Sequence, residues 1–251
     1  MLILKRTLFY ASLLSIWQLI VMLEIWPDYV VPSPSAVFGA VYQGFTEGHF
    51  GPGILSSLKR LLIGYGVSVV FGAIMGAALA ASKSLEETAG SLFLGLQTLP
   101  SVCWLPLALL WFGLTDTAII FVIVMGSVLS ITTGVMTAMK QVPVIWIQAS
   151  KTLGARGLNL YLRVMLPAAF PAIVEGLRQG WSFAWRSLMA GELLFVTVGL
   201  GHLLNVGREL NDMAQVVGVM GVIVAIGLLA DRLIFAFADR YISKRWGFRR
   251  A

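Results

Sequence analysis

From Leu61 to Ser82 the chain carries no charged side chain, and the same is true from Ala118 to Met139. Apolar runs of about 18 residues or more read as membrane-crossing helices, because only a helix satisfies its own backbone hydrogen bonds in hydrocarbon. The rest of the chain follows suit: 58% of its 251 residues are apolar and 12% are charged. An ordinary soluble domain carries about 25% charged residues. The alternating segments of about ten residues that mark a membrane β-barrel are absent. The fold class is therefore all-α: a polytopic membrane protein forming one transmembrane domain over residues 1–251.

Six spans are predicted, at roughly 7–26, 61–82, 91–113, 118–139, 168–197 and 213–238. The basic pair Lys5-Arg6 precedes a first apolar run too long for a cleavable signal, so that run reads as a retained span. Cationic loops stay in the cytoplasm. Lys5, Arg6, the central group Lys140, Lys151, Arg156 and Arg163, and the tail cations Arg240, Lys244, Arg245, Arg249 and Arg250 all fall on one side if both termini are cytoplasmic. Lys59-Arg60 alone stands on the outer side against that rule. The net charge of +6, which in a soluble protein would suggest nucleic acid, is explained by these flanking cations. No nucleic-acid partner is expected.

Between spans 1 and 2, Pro32 and Pro34 are expected to break any helix. Ser35 then caps a short amphipathic helix over about 36–45, which Gly48, Gly51, Pro52 and Gly53 end. Ser68, Gly72, Gly76 and Ala80 on span 2, and Gly126, Ser130, Gly134 and Ala138 on span 4, form stripes of small residues that let helices approach closely. A polar loop is expected at 83–88, with Glu86-Glu87 solvated beside Lys83. Span 3 contains Pro100 and Pro106, with Trp104 between them. Proline bends a helix, and bends at membrane depth are tolerated where backbone is buried in protein or lines a cavity. Span 3 reads equally as pathway lining or as a kinked packing helix.

Span 5 holds Glu175, Arg178, Arg186 and Glu192. Each ionisable group at mid-bilayer costs about 2.5–3.5 kcal/mol, so it faces a partner or water. At 100° per residue Arg178, Trp181, Trp185 and Glu192 share a face. These groups either line a pathway or pair helices together. An external loop with Arg208, Glu209 and Asp212 leads to span 6, whose inner half carries Asp231 and Arg232.

Enzymatic signatures are missing: there is no G-x-x-x-x-G-K-[ST], no G-x-S-x-G and no H-E-x-x-H. His49 and His202 lie far apart in outer segments and read as surface residues. Cys103, the single cysteine, reads as a packed thiol, and no Cys/His cluster offers a metal site.

The mixed, partly basic segment 143–167 is different. Pro143 suits the first turn of a helix, and Gly154 suits a turn or a close backbone approach. Gln148-Ala149-Ser150, then Gly154, then Val164 and Leu166-Pro167 stand at the spacing E-A-A-x3-G-x9-I-x-L-P, with Gln148 in place of Glu and Ser150 in place of Ala. This resembles the cytoplasmic loop of the permeases of bacterial ABC importers. The stretches V-P-S-P-S at 31–35, L-P-S-V-C-W-L-P-L-A-L-L-W-F-G at 99–113, G-L-R-Q-G-W-S-F-A-W-R-S-L-M-A-G-E-L at 176–193 and G-L-G-H-L at 199–203 look like the nitrate/sulfonate/taurine/bicarbonate branch of that family.

The resemblance implies a transport subunit, not an enzyme, in the bacterial inner membrane. A coupling helix around Gln148, Ala149, Ser150, Lys151, Gly154 and Ala155, ending at Leu166-Pro167, docks on a cytoplasmic ATPase. Two ATPase subunits bind ATP and Mg, so this chain holds no cofactor. A second permease copy, as a homodimer, completes the pathway, and an external solute-binding protein delivers a small anion such as a sulfonate, taurine, nitrate or bicarbonate. Some relatives carry neutral or cationic vitamin precursors. Pathway candidates are Pro100, Trp104, Pro106, Arg178, Trp181, Trp185, Arg186 and Glu192. An ATP-independent channel or secondary carrier is the alternative. It would show inverted repeats and broken or charged helices in both halves, and no repeat is evident.

Overall fold

The computed structural model describes residues 2–194 and 197–246, and among these residues the regular structure is helical throughout. The helices are α1 (Leu2–Met22), α2 (Pro34–Thr46), α3 (Phe50–Ala81), α4 (Lys83–Gln97), α5 (Ser101–Phe112), α6 (Asp116–Lys140), α7 (Val144–Thr152), α8 (Gly157–Leu194), α9 (Leu200–Glu209) and α10 (Met213–Trp246). Four of them, α3, α6, α8 and α10, are long and apolar enough to cross a membrane, and the bent pair α4–α5 makes a fifth if it counts as one span. Helix α1, the expected first span, is about 31 Å long at 1.5 Å per residue. Lys5, Arg6 and Gln18 leave it less apolar than the other four. Residues 195 and 196 of the expected span 5, and the tail from Gly247 with Arg249 and Arg250, lie outside the described residues.

Two compact units emerge, Met1–Ser57 with Glu192–Ile226 and Leu58–Gly191 with Gly227–Ala251. In the first, Trp17 Nε1 donates to the Pro32 carbonyl at 3.1 Å. Pro34 does not break a helix. It occupies the first turn of α2, where its missing N–H has no intrahelical partner to lose, and Ser33, not Ser35, caps the helix by accepting from Ala36 N at 3.2 Å. The expected terminators Gly51, Pro52 and Gly53 lie in the first turn of α3, where Pro52 likewise loses no intrahelical bond. The expected outer loop before span 6 is largely helix α9, and Asp212 then caps α10 by accepting from Gln215 N at 2.9 Å.

In the second unit both small-residue stripes are contact surfaces. On α3, a Cβ at Gly72 would come within 2.8 Å of Ile131 on α6, and buried Ser68 accepts from Ser127 at 2.8 Å. On the other side of α6, Gly134 meets Gly176 of α8 so closely that a Cβ would stand 2.9 Å from its Cα. The helices thus reach contact distance where side chains are smallest, which is how apolar helices associate in lipid. Towards the Lys140 end, Ile131, Val135, Met139, Val142, Leu160, Met165 and Ile173 make one buried cluster.

Several expectations change here. Lys59 and Arg60 are interior residues of α3, and buried Arg60 pairs with Asp116 through Nη2 at 2.8 Å and Nε at 3.1 Å. An arginine on the unexpected side is stable because its carboxylate comes with it. The expected loop at 83–88 is the start of α4, capped by Ser82. Glu86 pairs with Lys140, and Glu87 with Lys83 at 3.6 Å. Span 3 is not one kinked helix: α4 and α5 meet at 100° across residues 98–100. Pro100 ends the break in extended conformation, whereas Pro106 lies in the first α-turn of α5 and bends nothing. Cys103 is exposed. The apolar run carrying Asp231 and Arg232 stays helical to Trp246.

Candidate functional site

Three features of the second unit and one of the first bear on function. Helix α7 begins after Pro143, whose fixed φ starts the turn. It ends in a Schellman arrangement: Ala155 N donates to Ser150 O at 2.9 Å and Gly154 N to Lys151 O at 3.0 Å. Gly154 supplies the left-handed residue this cap needs, at φ +91°. Of its two expected roles, the turn is the one seen, and nothing described lies within 4 Å of where its Cβ would be. No residue of α7 is buried. Val144, Ile145, Trp146 and Leu153 are exposed, Leu153 by 89%. Gln148 and Ala149 are exposed, Ser150 half-buried and Lys151 exposed. Ile147 and Ala155 pack on the buried cluster and fix the helix to the spans. Leu166 and Pro167, expected at the end of the coupling segment, lie inside the long helix that follows α7. They continue α8 beyond a π-turn at Tyr161–Met165, which contains the Arg163 carbonyl that Pro167 cannot bond.

Arg178, on α8, faces carboxylates. Its Nη1 lies 3.1 Å from Glu175, its Nη2 2.9 Å from Asp239 and its Nε 3.7 Å from Asp231, and its guanidinium sits 5.1 Å from the Phe235 ring centroid. Asp231, Phe235 and Asp239 recur every four residues, so one face of α10 receives it. Trp181 is buried and meets Tyr65 edge-on at 5.1 Å, and Tyr65 Oη donates to Leu177 O at 2.9 Å. Trp185 is half-buried beside Gly227. Both tryptophans join helices.

Two turns on, Arg186 is exposed and pairs with no described carboxylate. Its Nε donates to Ser182 O at 3.2 Å, and its guanidinium lies 4.7 Å from the centroid of the Phe183 ring. It borders a cavity of about 300 Å³, with Gln97, Pro100, Ser101, Gly126 and Phe183 around it. A second cavity of about 810 Å³ is lined by Gln97, Thr133, Thr137, Gln141, Arg178 and Gln179. Of the three span 3 candidates, Pro100 lines the first cavity, and Trp104 and Pro106 line neither.

In the first unit Glu192 is fully buried. Its carboxylate accepts from Ser57 Oγ at 2.7 and 2.8 Å and from Gly201 N at 3.0 Å, while Ser57 Oγ accepts from Leu200 N at 2.9 Å. The acid therefore sits at the N-terminus of α9, where free N–H groups and the helix dipole favour negative charge. A Cβ at Gly199 would strike the carboxylate at 2.6 Å, which explains a glycine there.

Sequence reasoning did not single out Ser57, Gln97, Thr133 or Asp239. Gln97 and Thr133 are polar residues within apolar runs, a signal that would have found them.

Residues 68–247 match the family model described as "Binding-protein-dependent transport system inner membrane component". The chain is 32% identical over 236 residues to a putative ABC transporter permease protein of Methanocaldococcus jannaschii, covering 92% of this chain and 88% of the relative. It is 27% identical over 226 residues to the taurine transport system permease protein of Escherichia coli (88% and 82%). To the riboflavin transport system permease protein of Chloroflexus aurantiacus it is 30% identical over 200 residues (80% and 75%). Among solved structures, an inward-facing MetNI methionine ABC transporter superimposes with a TM-score of 0.63 at 21% identity, over 78% of this chain and 95% of that one. That likeness concerns the fold.

Proposed function

Because the chain belongs to the family of binding-protein-dependent transport system inner membrane components, we propose that it is the pathway-forming subunit of an ATP-driven importer of a small anion. It is a multi-pass ABC transporter permease of the inner membrane. Two copies enclose the pathway, two ATPases bind ATP and Mg and dock on α7, and an external binding protein delivers the solute.

The observation that carries this reading is the exposed apolar surface of α7. Val144, Ile145, Trp146 and Leu153 would be untenable as a bare surface in water. They stand on a short helix locked at both ends and tied to two spans through Ile147 and Ala155. Such a helix can move only with the spans, so force applied to it reaches them. Arg186 favours an anion as cargo: an arginine beside a cavity, with no described carboxylate against it, attracts negative charge. Taurine, which the Escherichia coli relative is named for transporting, carries an anionic sulfonate.

The test is affinity purification from native membranes in mild detergent, wild type beside Leu153→Asp and Ile145→Asp. These variants are preferable to a change at Gly154, where any side chain also strains the cap. An ATPase should copurify with the wild type and fall about tenfold or more with either variant. A wild type that brings down no ATPase in several detergents would overturn the assignment.

A further inference from the structure

The cavities beside Arg186 and Arg178 share a single lining side chain. Among their lining residues only Gln97 borders both. It is the last residue of α4, where the chain turns by 100° into α5. Thr133 Oγ1 lies 3.0 Å from Gln97 Oε1 and shares its one proton among that oxygen and the Leu129 and Ser130 carbonyls, each at 3.1 Å, which holds the carboxamide against α6. With the oxygen so engaged, the amide nitrogen is left as a donor, and no described group accepts from it. On one side of Gln97 lies Arg186, whose Nη atoms likewise meet no described acceptor. On the other lies Arg178, held among Glu175, Asp231 and Asp239. The electrostatic landscape across Gln97 is therefore a step, from uncompensated positive to compensated.

We propose that Gln97, oriented by Thr133, is the threshold residue of the pathway: it closes the smaller cavity from the larger, and its amide N–H donates to an anion crossing between them. This rests on the transport reading above. A neutral donor suits the position, because passage requires a site that attracts an ion enough to admit it and weakly enough to release it. A cation at residue 97 would deepen the well around Arg186, and a carboxylate would close it to anions. The break at 98–100 serves the same end, since it brings the end of α4 to α6 at the boundary between the cavities.

The experiment uses the whole transporter in inside-out membrane vesicles, with Cys103→Ser removing the single native thiol. Thr137→Cys reports on the larger cavity and Ser101→Cys on the smaller. The probe is an impermeant sulfonate-bearing methanethiosulfonate. Thr137→Cys should react about tenfold faster than Ser101→Cys. Adding Gln97→Ala should raise the Ser101→Cys rate by about tenfold and leave the Thr137→Cys rate unchanged, and Thr133→Val should raise it by about threefold. The unchanged Thr137→Cys rate reports an intact fold. If the Ser101→Cys rate is the same in all three backgrounds, the threshold role is overturned while the pathway stands. If Thr137→Cys never reacts, no water-filled path reaches it and the transport reading itself falls.

Discussion

Arg178 and Arg186 stand on the same helix, eight residues and about 12 Å apart, yet their surroundings are opposite. Arg178 meets three carboxylates, two of them on α10, and lies over Phe235. Arg186 meets a backbone carbonyl, the Phe183 ring and a cavity. An arginine in a membrane span needs a partner or water, and these two have taken one each. Arg178 ties helices. Arg186 is kept available. Residue type and helical position predict neither role; what decides is whether the neighbouring helix brings an acid.

The largest effect should follow from Arg178→Ala. It would take from Asp231 and Asp239 the guanidinium that both approach, and removing one member of a shielded charge cluster is far more damaging than never having it. With Arg178 partly solvated, a loss of about 2 kcal/mol is expected, read as a lower unfolding temperature of the detergent-purified complex. Adding Asp239→Asn to Arg178→Ala should recover part of it. An unchanged unfolding temperature with lost uptake would make Arg178 a pathway residue and erase the contrast.

Arg186→Ala should do the reverse. The fold loses one hydrogen bond to Ser182 and one ring contact, so stability should change by about 0.5 kcal/mol or less. Uptake by the reconstituted transporter should fall about tenfold, the loss of one charge-assisted contact to an anion. Arg186→Lys should restore more than half of the rate, since charge rather than shape is at issue. Should Arg186→Ala unfold the protein instead, both arginines are structural.

The sequence made much of this legible. Apolar runs marked α3, α6, α8 and α10, and the small-residue stripes marked the faces that touch, because both follow from helical period and residue size alone. Gly154 was legible as a turn because few other residues accept its φ. Pairings between distant segments were not. Nothing near Arg60 in the chain announces Asp116, and nothing near Arg178 announces Asp239. The sequence rules for proline also left two outcomes open. Pro100 and Pro106 read alike, but one ends a break and the other opens a helix, and only the position of the preceding turn distinguishes them.

The smallest effect, and the sharpest control, is Glu175→Ala. Glu175 is bonded to Arg178 as closely as Asp239 is, 3.1 Å against 2.9 Å, but its side chain is 70% exposed where that of Asp239 is 29%. If distance alone set the value of a pair, the two acids would matter equally. If solvent does, Glu175→Ala should shift stability by about 0.3 kcal/mol, as for an exposed pair one helical turn apart, and that shift should vanish at high salt. Asp239→Ala should cost several times more and persist in salt, because shielded pairs are screened less. Unfolding curves of the two variants at low and high salt decide between the two views. Equal losses would mean that Arg178 is held by the sum of its acids, and the distinction between a tying arginine and a free one would have to rest on the number of partners and not on their burial.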